Sequence, residues 1–272
     1  MLVPAADVDP ALRPEIGVIG GSGFYEYLEG AVQVEIDTPF GPPSSPFAIG
    51  ELAGRQVAFL ARHGPAHGFA AHRVPFRANI WALASLGVES IVAPCSVGSL
   101  RPELHPGQLV VLDQLVDRTF GRAGTFHDVG SDDGLPGSDG PVHHQTFADP
   151  YDEILRRAVL EAGTALPDLS VVDGGTMVVI NGPRFSTRAE SRWYRAMGWD
   201  VVNMTGAPEA ALAAEVGIRY ASVALVTDYD AGIDGHEPVT LEAVLDMVRR
   251  NVHNVRRLIA AAIPAIPAIP AS

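Results

Sequence analysis

Two carboxylates, Asp228 and Asp230, stand two residues apart where the apolar run Ala221-Ser-Val-Ala-Leu-Val226 ends. On extended chain, side chains at i and i+2 point the same way, so the pair can act on one ligand. Three chemistries suit it. A cation could be held by Asp228, Asp230, Asp234 and His236, although a calcium loop needs glycine at its sixth position and Ile233 stands there. A glycosidic bond could lie between two acids roughly 5 to 9 Å apart. A purine edge could be read by one acid donating a proton to a ring nitrogen while the other accepts from an exocyclic amine.

A second set of groups suits an anion. The run Ile16-Gly-Val-Ile-Gly20 leads into Gly21-Ser22-Gly23-Phe24, where glycines let backbone N–H groups converge. A dinucleotide fingerprint needs a third glycine or alanine, but Glu26 occupies that place; a phosphate loop needs lysine. The chain has no lysine, its 19 basic residues all being arginine. Schiff-base and Ser-x-x-Lys chemistry are excluded on the same ground. Ser22 remains as a single presented hydroxyl. Arg62 and His63 follow the run Val57–Ala61, and the fork of an arginine matches phosphate oxygens. Pro94-Cys95-Ser96-Val97-Gly98-Ser99 and Met204-Thr205-Gly206 each follow a further apolar run. Four predicted strand ends thus offer hydroxyls, an Arg/His pair or free N–H groups, and ligands of open α/β sheets bind at strand ends. An anion the size of phosphate fits them.

The elements needed to hold these groups are visible as well. Apolar runs at Ile16–Gly20, Val57–Ala61, Ser90–Ala93, Leu109–Leu112, Met177–Ile180, Val201–Asn203 and Ala221–Val226 predict buried strands. Helical periodicity covers Phe76–Leu86, Pro150–Ala162, Thr187–Met197, Pro208–Val216 and Thr240–Ile263, with Thr187 and Thr240 as caps. Alternating strands and helices indicate an α/β fold in a single domain, with a mixed or parallel sheet. Phe185, in Gly182-Pro-Arg-Phe-Ser-Thr187, can stack on a flat ligand or join the core. Cys95 reads as a small hydrophobe without a His partner.

The 272 residues are 47% hydrophobic and 19% charged, which excludes wholesale disorder. A net charge of −13 leaves no basic stripe for nucleic acid. One cysteine excludes an internal disulfide and fits a reducing, cytoplasmic compartment. The first residues show no basic n-region or apolar h-region, which predicts no secretory signal. No run of about 18 apolar residues predicts a membrane span. Residues 1–14 read as a tail, 15–263 as the domain, and 264–272 as a stiff extended Ile-Pro-Ala tail on the surface. Gly121–Pro141 is polar and glycine-rich, and is expected not to pack: a lid or a surface excursion.

Taken together, the segments IGVIGGSG, DTPFG, LARHG, ANIWAL, GSLRPELHPGQLVVLDQLVDRT, GTMVVINGPRFSTRAES, VVNMTGAPEAALAAEVGIRYAS and TDYD resemble the trimeric purine nucleoside phosphorylases, most closely their 5′-methylthioadenosine phosphorylase branch. The resemblance implies an α/β sandwich around a central mixed sheet, a homotrimer, and reversible phosphorolysis in purine and methionine salvage without metal or organic cofactor. It places Ser22, Arg62, His63, Ser96 and Thr205 at phosphate, and Phe185, Ser186 and Met204 around purine and ribose. Asp228 would protonate purine N7, its pKa raised by neighbouring Asp230, which would accept from the 6-amine. Leu241 and Val244 would form an apolar wall at the 5′ substituent, with His144 brought in across the trimer interface. Rival readings are a phosphorylase of 6-oxopurine nucleosides or methylthioinosine and, from another class, a nucleoside hydrolase or a non-catalytic nucleoside-binding protein.

Overall fold

The computed structural model describes residues 2–4, 13–21, 30–127, 144–232 and 235–268. Ser22 and most of the Gly121–Pro141 excursion lie outside them. Among the described residues the strands are β1 (Leu2–Pro4), β2 (Ile16–Gly20), β3 (Val32–Glu35), β4 (Phe47–Leu52), β5 (Arg55–Ala61), β6 (Ser90–Ser99), β7 (Leu109–Val111), β8 (Gln114–Arg118), β9 (Val171–Asp173), β10 (Thr176–Ile180), β11 (Val201–Asn203) and β12 (Arg219–Asp228). They join in one mixed sheet of order β1-β3-β4-β5-β2-β6-β11-β10-β8, from which β12, β7 and β9 branch at β6. The helices are α1 (Phe76–Ser85), α2 (Glu153–Thr164), α3 (Arg188–Ala196), α4 (Gly206–Glu215) and α5 (Leu241–Ala262).

The apolar runs are continuous because both faces of the sheet are covered. Along β12, Ala221, Val223 and Leu225 face the core built with α2 and α5, while Ala224 and Val226 face the one built with α1 and α4. The predicted sandwich is the observed one. Helix ends follow their capping residues: the Asp152 carboxylate accepts from the Leu155 N–H, Thr187 forms a capping box with Glu190, and the Thr240 hydroxyl accepts from Ala243.

Three expectations need correction. Pro94 does not end a strand, because β6 runs through it to Ser99. β2 pairs with β6 only at Ser90–Val92, and β11 takes up pairing at Gly98 and Ser99. The edge between them carries no strand partner, so the N–H that proline lacks is not needed. The excursion does pack at its start: Phe126 is buried and lies 5.3 Å from the Phe40 ring. The Ile-Pro-Ala run does not begin as a surface tail either. Ile263–Ala265 is a turn of 3-10 helix, Ile263 and Ile266 are buried, and the Ile266 and Pro267 carbonyls accept from Arg55 and Arg219.

Candidate active site

The unpaired stretch of β6 is one wall of a cavity of about 460 Å3, within the size range of sites for small ligands. Side chains replace the missing strand. Arg62, at the end of β5, donates from Nη1 to the Pro94 carbonyl (3.1 Å) and from Nη2 to the Ile19 carbonyl of β2 (3.1 Å). Asn203, at the end of β11, donates from Nδ2 to the Ser96 carbonyl (2.9 Å). Its Oδ1 accepts from the Thr205 and Gly206 N–H groups at 2.6 and 2.8 Å, fixing the entry to α4.

At this end stand Arg62, His63, Ser96 and Thr205, all lining the cavity. Arg62 is 2% exposed and gripped on two sides by Glu209, with Nε to Oε2 at 2.7 Å and Nη2 to Oε1 at 2.8 Å. Glu209 is itself fully buried and also accepts from the Tyr220 hydroxyl at 2.7 Å. Of the five guanidinium protons these bonds leave one, on Nη1, for a ligand. His63 donates from Nδ1 to the Phe69 carbonyl at 2.8 Å, which leaves Nε2 as an acceptor. Burial depresses its pKa to about 4, so the ring is neutral near pH 7, and His67 stacks on it with centroids 4.4 Å apart.

The acid pair closes the opposite end. β12 pairs in register with β6 up to Val226, then shifts so that Asp228 stands opposite Gly98, and such a bulge re-aims a side chain. Thr227 donates its hydroxyl to Asp228 Oδ2 at 2.7 Å. Burial pushes the Asp228 carboxyl up to about 7, with Asp230 adding a smaller push. The neighbouring charge is therefore the lesser cause, not the principal one expected from the sequence. Asp230 is buried and also raised, chiefly by burial, with the Ser191 and Ser186 hydroxyls opposing. Neither acid has a cation within salt-bridge distance among the described residues. A metal site is likewise absent among them; Asp234 lies outside. Phe185, Ser186 and Met204 line the same cavity, as do Leu241 and Val244.

Eleven of the thirteen predicted site residues thus line one cavity. Ser22 is outside the described residues, and His144 is exposed and does not line the cavity of its own chain. Ser96 sits within β6 rather than in a loop after a strand. Glu209, Asn203, Gly98, His67 and the Gly68–Ala71 segment escaped the sequence reading. Glu209 carried only a weak signal, as one of two acids, with Glu215, in the alanine-rich Pro208–Val216 segment.

The family model described as the phosphorylase superfamily matches residues 15–264. The chain belongs to this superfamily. Among similar proteins, a purine nucleoside phosphorylase of Streptomyces coelicolor is 51% identical over 260 residues, covering 93% of this chain and 91% of the relative. An S-methyl-5′-thioadenosine phosphorylase of Mycobacterium tuberculosis is 53% identical, with coverage of 91% and 88%. A solved methylthioadenosine phosphorylase from Schistosoma mansoni, in complex with adenine, superposes with a TM-score of 0.85 at 39% identity, covering 93% and 92%. This member of the phosphorylase superfamily holds an arginine and a histidine at one end of the cavity beside β6 and two acids at the other.

Proposed function

We infer that this phosphorylase cleaves S-methyl-5′-thioadenosine with inorganic phosphate, releasing adenine and 5-methylthioribose 1-phosphate. The observation that carries the substrate choice is the buried pair Asp228 and Asp230 in the cavity that also holds Arg62 and His63. Asp228, half protonated near pH 7, donates to purine N7 as the glycosidic bond breaks, and Asp230 accepts from the 6-amine. Phosphate, held by Arg62, His63, Ser96 and Thr205 and by Ser22, attacks C1′ from the opposite face. Its negative charge stabilises the oxocarbenium-like transition state. Phe185, Ser186 and Met204 pack purine and ribose. Leu241 and Val244 give the 5′ end an apolar wall that suits a methylthio group.

The reaction requires no metal or organic cofactor, phosphate being a co-substrate. The working form is a cytoplasmic homotrimer. Leu241, 58% exposed at the cavity, and the exposed His144 fit an arrangement in which a neighbouring copy covers the 5′ end. Among the described residues, no helix is long and apolar enough to cross a membrane.

A second reading, cleavage of purine nucleosides more broadly, those with a 6-oxo group included, is favoured by the name of the Streptomyces relative, a purine nucleoside phosphorylase. One assay separates the two: base release from methylthioadenosine and from methylthioinosine, each with and without phosphate, in the presence of a chelator. Phosphate-dependent release of adenine supports the first reading. Release confined to the oxo substrate overturns the role of the acid pair, and release without phosphate indicates a hydrolase.

A further inference from the structure

Two loops meet at the cavity. One leaves β10 as Asn181-Gly182-Pro183-Arg184-Phe185-Ser186; the other leaves β11 as Met204-Thr205-Gly206-Ala207 and enters α4. They touch directly, since Gly182 has φ +65° and a Cβ placed there would lie 2.6 Å from Met204 Sδ. Away from this contact they are joined a second time by Arg122, from the segment after β8. Its Nη1 donates to the Ala207 carbonyl and its Nη2 to the Asn181 carbonyl at 2.9 Å. The guanidinium lies over the Phe76 ring, 5.4 Å from its centroid, at the start of α1.

Arg122 is held at a cost. It has no carboxylate within salt-bridge distance among the described residues, and its Nε is buried without a partner among them. Burial lowers its pKa to about 10, with only Asp117 opposing. A half-buried cation without a counter-ion, its Nε shut off from water, is unfavourable unless its hydrogen bonds perform a task that a neutral side chain could not. The fork geometry supplies one: two carbonyls on two different loops are reached at once.

We propose that Arg122 is a positioning residue that couples the loop at Met204–Ala207, which carries the phosphate-side Thr205, to the purine-side loop at Asn181–Ser186, so that filling one end of the cavity alters affinity at the other. The proposal rests on the reading of the cavity as a phosphorolysis site. Its test is the affinity of adenine measured by calorimetry with and without saturating inorganic phosphate, a pair that cannot turn over because no ribose is present.

In the wild type, phosphate is expected to change adenine affinity at least about 5-fold, the lower range of coupling between sites. In Arg122→Met the ratio should fall to within twofold of unity while the cooperative thermal transition persists. Arg122→Lys keeps a charge but cannot span both carbonyls, and should lose the coupling equally; it also serves if the methionine variant does not fold. A ratio unchanged in the lysine variant, or no effect of phosphate on adenine in the wild type, overturns the proposal. A merely structural staple would lower thermal stability and leave the ratio intact. If the wild type shows no phosphate-dependent release of adenine from methylthioadenosine, the phosphorolysis reading fails instead. Normal turnover with unaltered coupling defeats the role of Arg122 alone.

Discussion

The carboxyl of Asp228 rests against a position on β6 that has no side chain. A Cβ at Gly98 would lie 2.9 Å from Asp228 Oδ1 and 3.0 Å from the Asp230 Cα. Asp230 itself has φ +37°, so the backbone carrying the pair is bent tightly over that glycine. The acids therefore occupy their places only while Gly98 remains glycine.

Gly98→Ala is expected to keep its fold and lose activity. The nearest atoms include backbone, which cannot swing aside as the end of a long side chain can. A misplacement of about 1 Å at reacting groups costs roughly 100-fold in rate. Steady-state kcat/KM beside a melting curve checks this, and near-wild-type turnover would show that the acids tolerate displacement.

Asp228→Asn tests the acid directly, through both rate and stability. Adenine release should fall steeply while preference shifts toward 6-oxo nucleosides, and the falling limb of kcat/KM centred near pH 7 should vanish. Stability moves the other way. Folding raises this carboxyl from 3.8 to about 7, so the folded state holds the extra proton between those values, and stability falls as pH rises through that window. Above pH 7 the penalty for a buried carboxylate is fully present. The asparagine variant should be more stable than wild type at pH 8, by on the order of 2–4 kcal/mol. The advantage should disappear near pH 4, as melting at both pH values would reveal.

Much of this site was legible before the fold was known, for a physical reason. Strands buried on both faces and amphipathic helices leave strong periodic signals, and the residues after them are displayed in order. What was not legible depends on distance. Arg62 reads as a free anion hook until Glu209, 147 residues further along, is found gripping it. The half-exposed strands β3, β4, β8 and β9 were missed because their polar positions dilute the pattern. Proline misled twice: at Pro94, where an unpaired edge makes it harmless, and in the Ile-Pro-Ala run, where isoleucines dock regardless.

His63 predicts how phosphate affinity follows pH. Its Nδ1–H is committed to the Phe69 carbonyl and its ring is neutral above a pKa of about 4, so Nε2 accepts rather than donates. Arg62 adds little net charge because Glu209 neutralises it. The phosphate dianion that prevails above pH 7 still carries one proton and can donate it to Nε2. His63→Asn should therefore raise KM for phosphate while leaving the shape of its pH dependence between pH 6 and 9 as in wild type, because the imidazole does not titrate there. A step in the wild-type profile that the variant lacks would mean that His63 changes charge in that range.

Glu209 supplies the last prediction. Its carboxylate takes two bonds from Arg62 and one from Tyr220, with neither member of the ion pair reached by solvent. Removing one partner of such a pair leaves the other charged and buried, which costs about 3–5 kcal/mol. Glu209→Ala should therefore melt well below wild type and show a raised KM for phosphate. Arg62 would then be free to turn from the Pro94 and Ile19 carbonyls that it bridges. The double variant Arg62→Met/Glu209→Leu removes both charges and should recover much of the stability, because no unpaired ion remains. It should not recover phosphorolysis, since the remaining Nη1 proton is gone. Recovery of both, measured by melting and by phosphate-dependent adenine release, would mean that the pair serves packing alone.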